Sequence, residues 1–318
     1  MFTNKTNNKS REQKNKSTKA GGKKVEAFKT KSNKILKILL FTLPAMIPMF
    51  IFWIYPILKS SWLSFTDWDY MSPSYSYVGT ENYTNVFTND GFWSALSNTA
   101  VFAIGTMIPT LVIGLFVALL LNSKIKGKSI YRFLVFSPWI TPTVAISIVW
   151  SWIFQPKGGL ANELLSLLGL PASQWMTSSK TAMLSVIIVT VWKGIGYSAI
   201  FYLVAMDKIP EDRYEAAALD GANFWQKLRY ITIPGISPTT FFLTIITMVD
   251  ALKAYDQIQI LTQGGPSGST RTLTYLFYQL GFEQFKMGQA SAVAIIIVLI
   301  TVSLSVLQFK LSKKWVNY

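Results

Sequence analysis

Read for its pattern of apolar and polar positions, the chain is a series of long apolar runs separated by shorter polar stretches. A helix needs about 20 mostly apolar residues to cross a bilayer core. Six runs meet that length, at roughly 36–58, 96–121, 133–154, 182–206, 236–255 and 290–309. The pattern therefore predicts an all-α membrane protein with six transmembrane helices. Several runs contain helix breakers, with Pro44 and Pro48 in the first and Pro138 and Pro142 in the third. Neighbouring helices can satisfy the backbone groups that such prolines release, so these spans are expected to pack inside a bundle.

Composition agrees with a chain whose solvent is lipid: 51% of its 318 residues are hydrophobic and 14% are charged. It has no cysteine and no histidine. Disulfides, thiol chemistry and the commonest general base and metal ligand are thereby excluded, and no catalytic or metal site is expected. Five tryptophans (Trp62, Trp68, Trp93, Trp152 and Trp175) fall near span ends, where an aromatic belt at the lipid interface accounts for them.

The net charge of +15 is unevenly spread. Residues 1–37 hold twelve Lys/Arg against only Glu12 and Glu26. This Lys/Asn/Ser-rich stretch is expected to be a disordered basic tail over 1–35, followed by a transmembrane domain over 36–318. Apart from Phe2, the tail has no aromatic residue before Phe28 to stack on a base, so its expected neighbour is anionic membrane lipid and no nucleic acid. It is also polar for too long to be read as a cleaved signal peptide. Counted over tails and loops, 23 Lys/Arg lie on one side of the spans and five on the other. The positive-inside rule then places both termini, and the loop 207–235, in the cytoplasm.

That loop holds an unusual stretch, "EAAALDGANFWQKLRYITIP", from Glu215 to Pro234. Pro210, Glu211 and Asp212 suit a first helical turn, and Gly221 suits the left-handed residue that ends one. A short helix over Glu211–Asp220 follows, with small residues at Ala216, Ala217 and Ala218. On local chemistry alone two readings stand level: a plug whose small side chains permit close approach to another protein, or a capped surface helix joining two spans.

The pattern Glu215-Ala216-Ala217, Asp220-Gly221-Ala222 and Ile233-Pro234 resembles the "EAA" loop of binding-protein-dependent ABC importer permeases. "VGTENYTNVFTNDGFWSALSNT" (Val78–Thr99) and "LTQGGPSGST" (Leu261–Thr270) resemble segments of the sugar branch, of the maltose-transporter-type first permease. The resemblance covers about 37–310. It implies the ABC type I importer permease fold, with a cytoplasmic coupling helix at Glu215, Ala216, Ala217, Asp220, Gly221 and Pro234 that docks on an ATPase. It further implies a second homologous permease subunit, two ATPase subunits, an extracellular solute-binding protein and a carbohydrate substrate at a bacterial plasma membrane. The sequence has no Gly-x-x-x-x-Gly-Lys-[Ser/Thr] loop. No cofactor is expected in this chain, and ATP and Mg would be used by the partner ATPase. The rival class is an ion-coupled secondary transporter of a small polar solute. Those folds commonly show paired repeats, and no half-to-half symmetry is visible here.

Two charges, Lys193 and Asp250, lie inside apolar runs. A charge at the bilayer centre costs about 2.5–3.5 kcal/mol on insertion scales, so both are expected to face the bundle interior. At about 1.5 Å per residue, both lie at a similar depth, near 20 Å from the inner boundary. Helical spacing puts Tyr197 on the face of Lys193, and Thr247, Lys253 and Ala254 on the face of Asp250. One reading is a Lys–Asp pair that fixes helix register. The other is a polar patch in a translocation cavity. The resemblance favours the patch, because "WKGIGY" (Trp192–Tyr197) is similar to a sugar-contacting segment. It implies substrate contacts at Trp192, Lys193, Gly194, Tyr197, Thr247, Asp250, Ala251 and Ala254.

Overall fold

The computed structural model describes residues 39–123, 126–313 and 315–316. The expected tail over 1–35, and the first residues of the first apolar run, lie outside the described residues. The chain divides into two units, one ending at Lys59 and the other running from Ser60 to Tyr318. The first helix, α1 (Leu39–Leu63), starts in the first unit. There Phe41, Phe52 and Trp53 are exposed. Such a surface is stable only against lipid or another apolar face.

Among the described residues, the regular elements of the second unit are helices. Its elements are α2 (Glu81–Phe87), α3 (Asp90–Asn122), α4 (Lys128–Ile140), α5 (Thr143–Ile153), α6 (Leu160–Leu167) and α7 (Ala182–Met206). They continue with α8 (Glu211–Leu219), α9 (Phe224–Gly235), α10 (Ser237–Leu252), α11 (Asp256–Leu261), α12 (Leu273–Tyr278) and α13 (Met287–Ser312). Among the described residues, β structure is limited to one bridge between Thr66 and Tyr77.

Four helices, α1, α3, α7 and α13, are each long and apolar enough to cross a membrane. The other two runs belong to bent helix pairs, each of which meets the length and apolarity of a span when taken together. The run at 133–154 is bent by 98° between α4 and α5, and the run at 236–255 follows a 66° bend, at Ile236, between α9 and α10. Each bend has a proline cause. The ring of Pro142 crowds the residue before it, and Thr141 is accordingly extended (φ −70°, ψ 137°). At the second bend Pro238 brings no N–H to the carbonyl of Pro234, and the Ser237 hydroxyl donates to that carbonyl instead, at 2.7 Å.

The middle of the unit is α7, packed between α3 and α4. Close approach is possible because glycines stand at the crossings. A Cβ on Gly114 of α3 would lie 2.7 Å from the Ser198 Cβ of α7, and one on Gly196 would overlap the Val135 carbonyl of α4. Small residues at such crossings let helices gain packing and dispersion contacts in a solvent that offers no hydrophobic drive. Phe102, Val186, Tyr202 and Leu243 are fully enclosed around these contacts. A second cluster joins α12 and α13 to the start of α3 through Phe92, Leu273, Ala290 and Val293.

The two segments around Val78–Thr99 and Leu261–Thr270 meet in space. Asn98 donates to the carbonyls of Gly268 (2.9 Å) and Arg271 (3.1 Å), and the Leu273 N–H donates to the Thr99 hydroxyl (2.9 Å). Inside the second segment the Thr262 and Thr270 hydroxyls pair at 2.7 Å, and Thr270 also bonds the Gly265 carbonyl. Gly264 has φ +75°, and its α-carbon faces the Tyr275 ring so closely that a Cβ there would lie 2.5 Å from the ring edge. One tryptophan departs from the belt expectation. Trp175 stacks on Phe154 at 4.7 Å and donates its ring N–H to the buried Asn162 side chain at 2.7 Å.

Candidate functional site

A cavity of about 420 Å³ opens where α7, α10, α3 and the α4–α5 bend converge. Helix α7 contributes Thr190, Lys193, Gly194 and Tyr197, one face of the helix at i, i+3, i+4 and i+7. Helix α10 and the turn after it contribute Thr247, Asp250, Ala251, Lys253, Ala254 and Tyr255. Lys193 of α7 and Asp250 of α10 thus line one cavity.

The α4–α5 bend supplies the floor for Lys193. Because the helix stops at Ile140, carbonyls of its last turn have no partner within the helix. The Lys193 ammonium donates to one of them, Trp139 O, at 3.4 Å, and lies 5.1 Å from the centre of the Trp139 ring. A cation over an indole face is favoured by the ring quadrupole. The indole is also stacked on Tyr197, centroid to centroid at 4.4 Å. The ammonium of Lys193 is therefore directed to the broken helix, rather than being fully spent on a register-fixing pair with Asp250.

The threonines complete the chemistry. Thr106, Thr190 and Thr247 each donate to the carbonyl four residues earlier in their own helix, at 2.7–2.8 Å. A hydroxyl committed in this way keeps its acceptor lone pairs. The cavity thus combines oxygen acceptors, a carboxylate at Asp250, ammonium donors at Lys193 and Lys253, and aromatic faces at Trp139, Tyr197 and Tyr255. That mixture matches a solute rich in hydroxyl groups with apolar ring faces.

Seven of the eight substrate positions expected from the sequence line this cavity, and Trp192 does not. One residue from Lys193 on a helix is about 100° around the axis, which turns Trp192 away. It packs edge-on against Trp150 of α5, at 5.5 Å between centroids, and remains 42% exposed. Among the residues that sequence reasoning missed are Thr106, Thr110, Trp139, Thr143, Val189, Thr190, Tyr255, Asp256 and Gln257. The signal for Trp139 and Thr143 was the Thr141-Pro142 step. For Thr106 and Thr110 it was their i, i+4 spacing inside an apolar run.

The loop after α7 carries the second candidate surface. None of α8 is buried. Glu215, Ala216, Asp220 and Gly221 are exposed, Ala217 is half-buried, and Leu219 is 89% exposed. The helix ends one residue earlier than expected, with Asp220 as its cap. Gly221 takes φ +75°, and the Ala222 N–H reaches back to Ala217 O at 2.8 Å while the Gly221 N–H reaches Ala218 O at 3.1 Å. This backward pairing satisfies carbonyls at the helix end. Asn223 then opens α9 through a reciprocal cap with Gln226, at 2.8 and 3.0 Å. Pro234 sits half-buried in α9, just past a π-turn at Leu228–Thr232 and just before the 66° bend.

Comparison with known proteins gives a consistent result. A family model described as "Binding-protein-dependent transport system inner membrane component" matches residues 110–317. The chain is 35% identical over 286 residues to the "Probable ABC transporter permease protein YurN" of Bacillus subtilis, covering 88% of this chain and 97% of that one. It is 30% identical over 277 residues to the "Trehalose/maltose transport system permease protein MalF" of Thermococcus litoralis, covering 86% and 92%. Among solved structures it is similar to a chain of a bacterial ABC transporter involved in the import of the acidic polysaccharide alginate. That match has a TM-score of 0.76 and 23% identity, and it covers 90% of this chain and 98% of that one.

Proposed function

The chain belongs to the family of inner-membrane components of binding-protein-dependent transport systems, and on that premise we propose that it is a transmembrane subunit of an ATP-driven carbohydrate importer. The solute is an oligosaccharide or related polyol delivered by an extracellular binding protein. This chain pairs with a second, homologous permease subunit, and the path runs between them. Two separate ATPase subunits grip α8 through Glu215, Ala216, Ala217, Asp220 and Gly221. Their closure on ATP moves α8 as a rigid body and exchanges outward- for inward-facing states. Both termini and α8 lie on the cytoplasmic side, a placement supported by the Lys/Arg asymmetry of the loops.

The observation that carries the carbohydrate reading is the cavity, where Lys193, Tyr197, Thr247 and Asp250 converge with Trp139. Lys193 and Asp250 suit a sugar that carries a charged group as well as hydroxyls.

The test is uptake in proteoliposomes containing this chain, its permease partner, the ATPases and the binding protein. Asp250→Asn is expected to weaken solute uptake at least tenfold while the complex still assembles. Loss of assembly without any loss of solute affinity would reject the binding role. Uptake that survives ATP depletion and collapses with the ion gradient would reject ATP coupling.

A further inference from the structure

Two contacts link α8 and the residues just before it to the α9–α10 pair, close to its bend. Ile209, two residues before α8, packs on Gly235 so closely that a Cβ there would lie 2.7 Å from its Cδ1. From α8 itself, the Tyr214 hydroxyl lies 2.9 Å from the Thr232 hydroxyl. Thr232 is only 5% exposed and closes the π-turn Leu228–Thr232 in α9. Its hydroxyl also bonds the Lys227 carbonyl five residues back, at 3.4 Å. Its own carbonyl accepts from the Ile236 N–H, at 2.9 Å, and Ile236 is the residue at which the chain turns by 66° into α10. Further along α10 come Thr247, Asp250 and Ala251, which line the cavity.

We propose that the Tyr214–Thr232 hydroxyl pair is the positioning contact that makes α8 and the α9–α10 bend move together, so that displacement of α8 reaches the solute cavity. Apart from Tyr214 and Ala217, the side chains of α8 contribute little to packing, since none is buried and Leu219 points outward. The Ile209 contact is apolar and non-directional, so it permits sliding. A hydrogen bond between two hydroxyls fixes distance and direction, and here it ends on a turn of the wide i→i+5 type. Such turns are local irregularities of the α-helix that recur at functional sites. Thr232 shares its hydroxyl with that turn, so a pull on Tyr214 acts on the turn and, through Ile236, on the start of α10.

This inference rests on the reading that α8 docks on the ATPase, and the experiment separates the two. The complete complex, with this chain as wild type, Tyr214→Phe, Thr232→Val, Thr232→Ser or the Phe/Val double variant, is placed in proteoliposomes. ATP hydrolysis and solute uptake are then measured on the same vesicles. Expected for Tyr214→Phe and Thr232→Val is full co-purification of the ATPases, hydrolysis within about twofold of wild type, and at least fivefold less solute moved per ATP. The double variant is expected to be no worse than either single one, because both remove the same bond. Thr232→Ser, which keeps the hydroxyl, is expected to hold the wild-type ratio.

An unchanged solute-to-ATP ratio in Tyr214→Phe overturns the inference. So does a double variant whose losses multiply, or a loss of hydrolysis and uptake in equal proportion. If the wild-type chain itself fails to retain the ATPases, the docking reading falls and the link falls with it.

Discussion

Two segments of this protein each depend on a glycine with positive φ, Gly264 and Gly221, and they differ sharply in their surroundings. The segment from Gly264 to Arg271 is sewn to α3 by Asn98 and to itself by Thr262 and Thr270, with Tyr275 pressed against Gly264. The segment from Glu211 to Gly221 has no buried residue, and Gly221 has open space where a Cβ would go. In the first, glycine is needed because a neighbour fills the space. In the second it is needed because the chain reverses there. The lesson is that a tight loop can be a fixed joint or a free handle, and the surroundings decide which.

The largest effect should come from filling the fixed joint. Gly264→Val places a branched side chain at φ +75° and into the Tyr275 ring, so no stable protein is expected in a fluorescence size-exclusion profile. Asn98→Ala should come next, since it leaves two carbonyls of the joint without their donor, at about 1–3 kcal/mol. A lowered unfolding temperature in detergent, with ATPase retention unchanged once folded, checks it.

On the handle the balance reverses. Gly221→Val meets no neighbour, and its backbone strain costs about 1–2 kcal/mol. The protein is expected to fold and to lose ATPase capture in a pull-down. Leu219→Ser should change unfolding by less than about 0.5 kcal/mol, because the side chain is 89% exposed, and yet weaken the same capture. If Asn98→Ala also released the ATPases, or Gly221→Val unfolded the chain, the contrast between joint and handle would fail.

Much of this was legible in the sequence, for identifiable reasons. The bounds of α7 could be read from hydropathy alone, since the run 182–206 carries a single charge, Lys193, and forms one continuous helix. The direction of a run is not written in its hydropathy, and so the bend at Thr141 inside one run and the bend at Ile236 at the start of another were not foreseen. Their cause was present in Pro142 and Pro238, but a proline inside an apolar run can equally be tolerated by its neighbours. Lys193 and Asp250 were found because a charge in lipid is too costly to be incidental. Trp192 was carried along by its place in a motif, and helical geometry turned it to another face. Trp139 escaped notice because part of its contribution is a backbone carbonyl, a group every residue owns and only a broken helix sets free.

That last feature has an evolutionary corollary. An ammonium tethered to main-chain oxygen does not depend on which side chain stands at position 139, so long as the helix still ends there. Related transporters would then be free to vary the indole, reshaping the wall against which a sugar ring rests, without letting go of the lysine. The proline at 142, which is not among the residues lining the cavity, becomes the position least open to exchange.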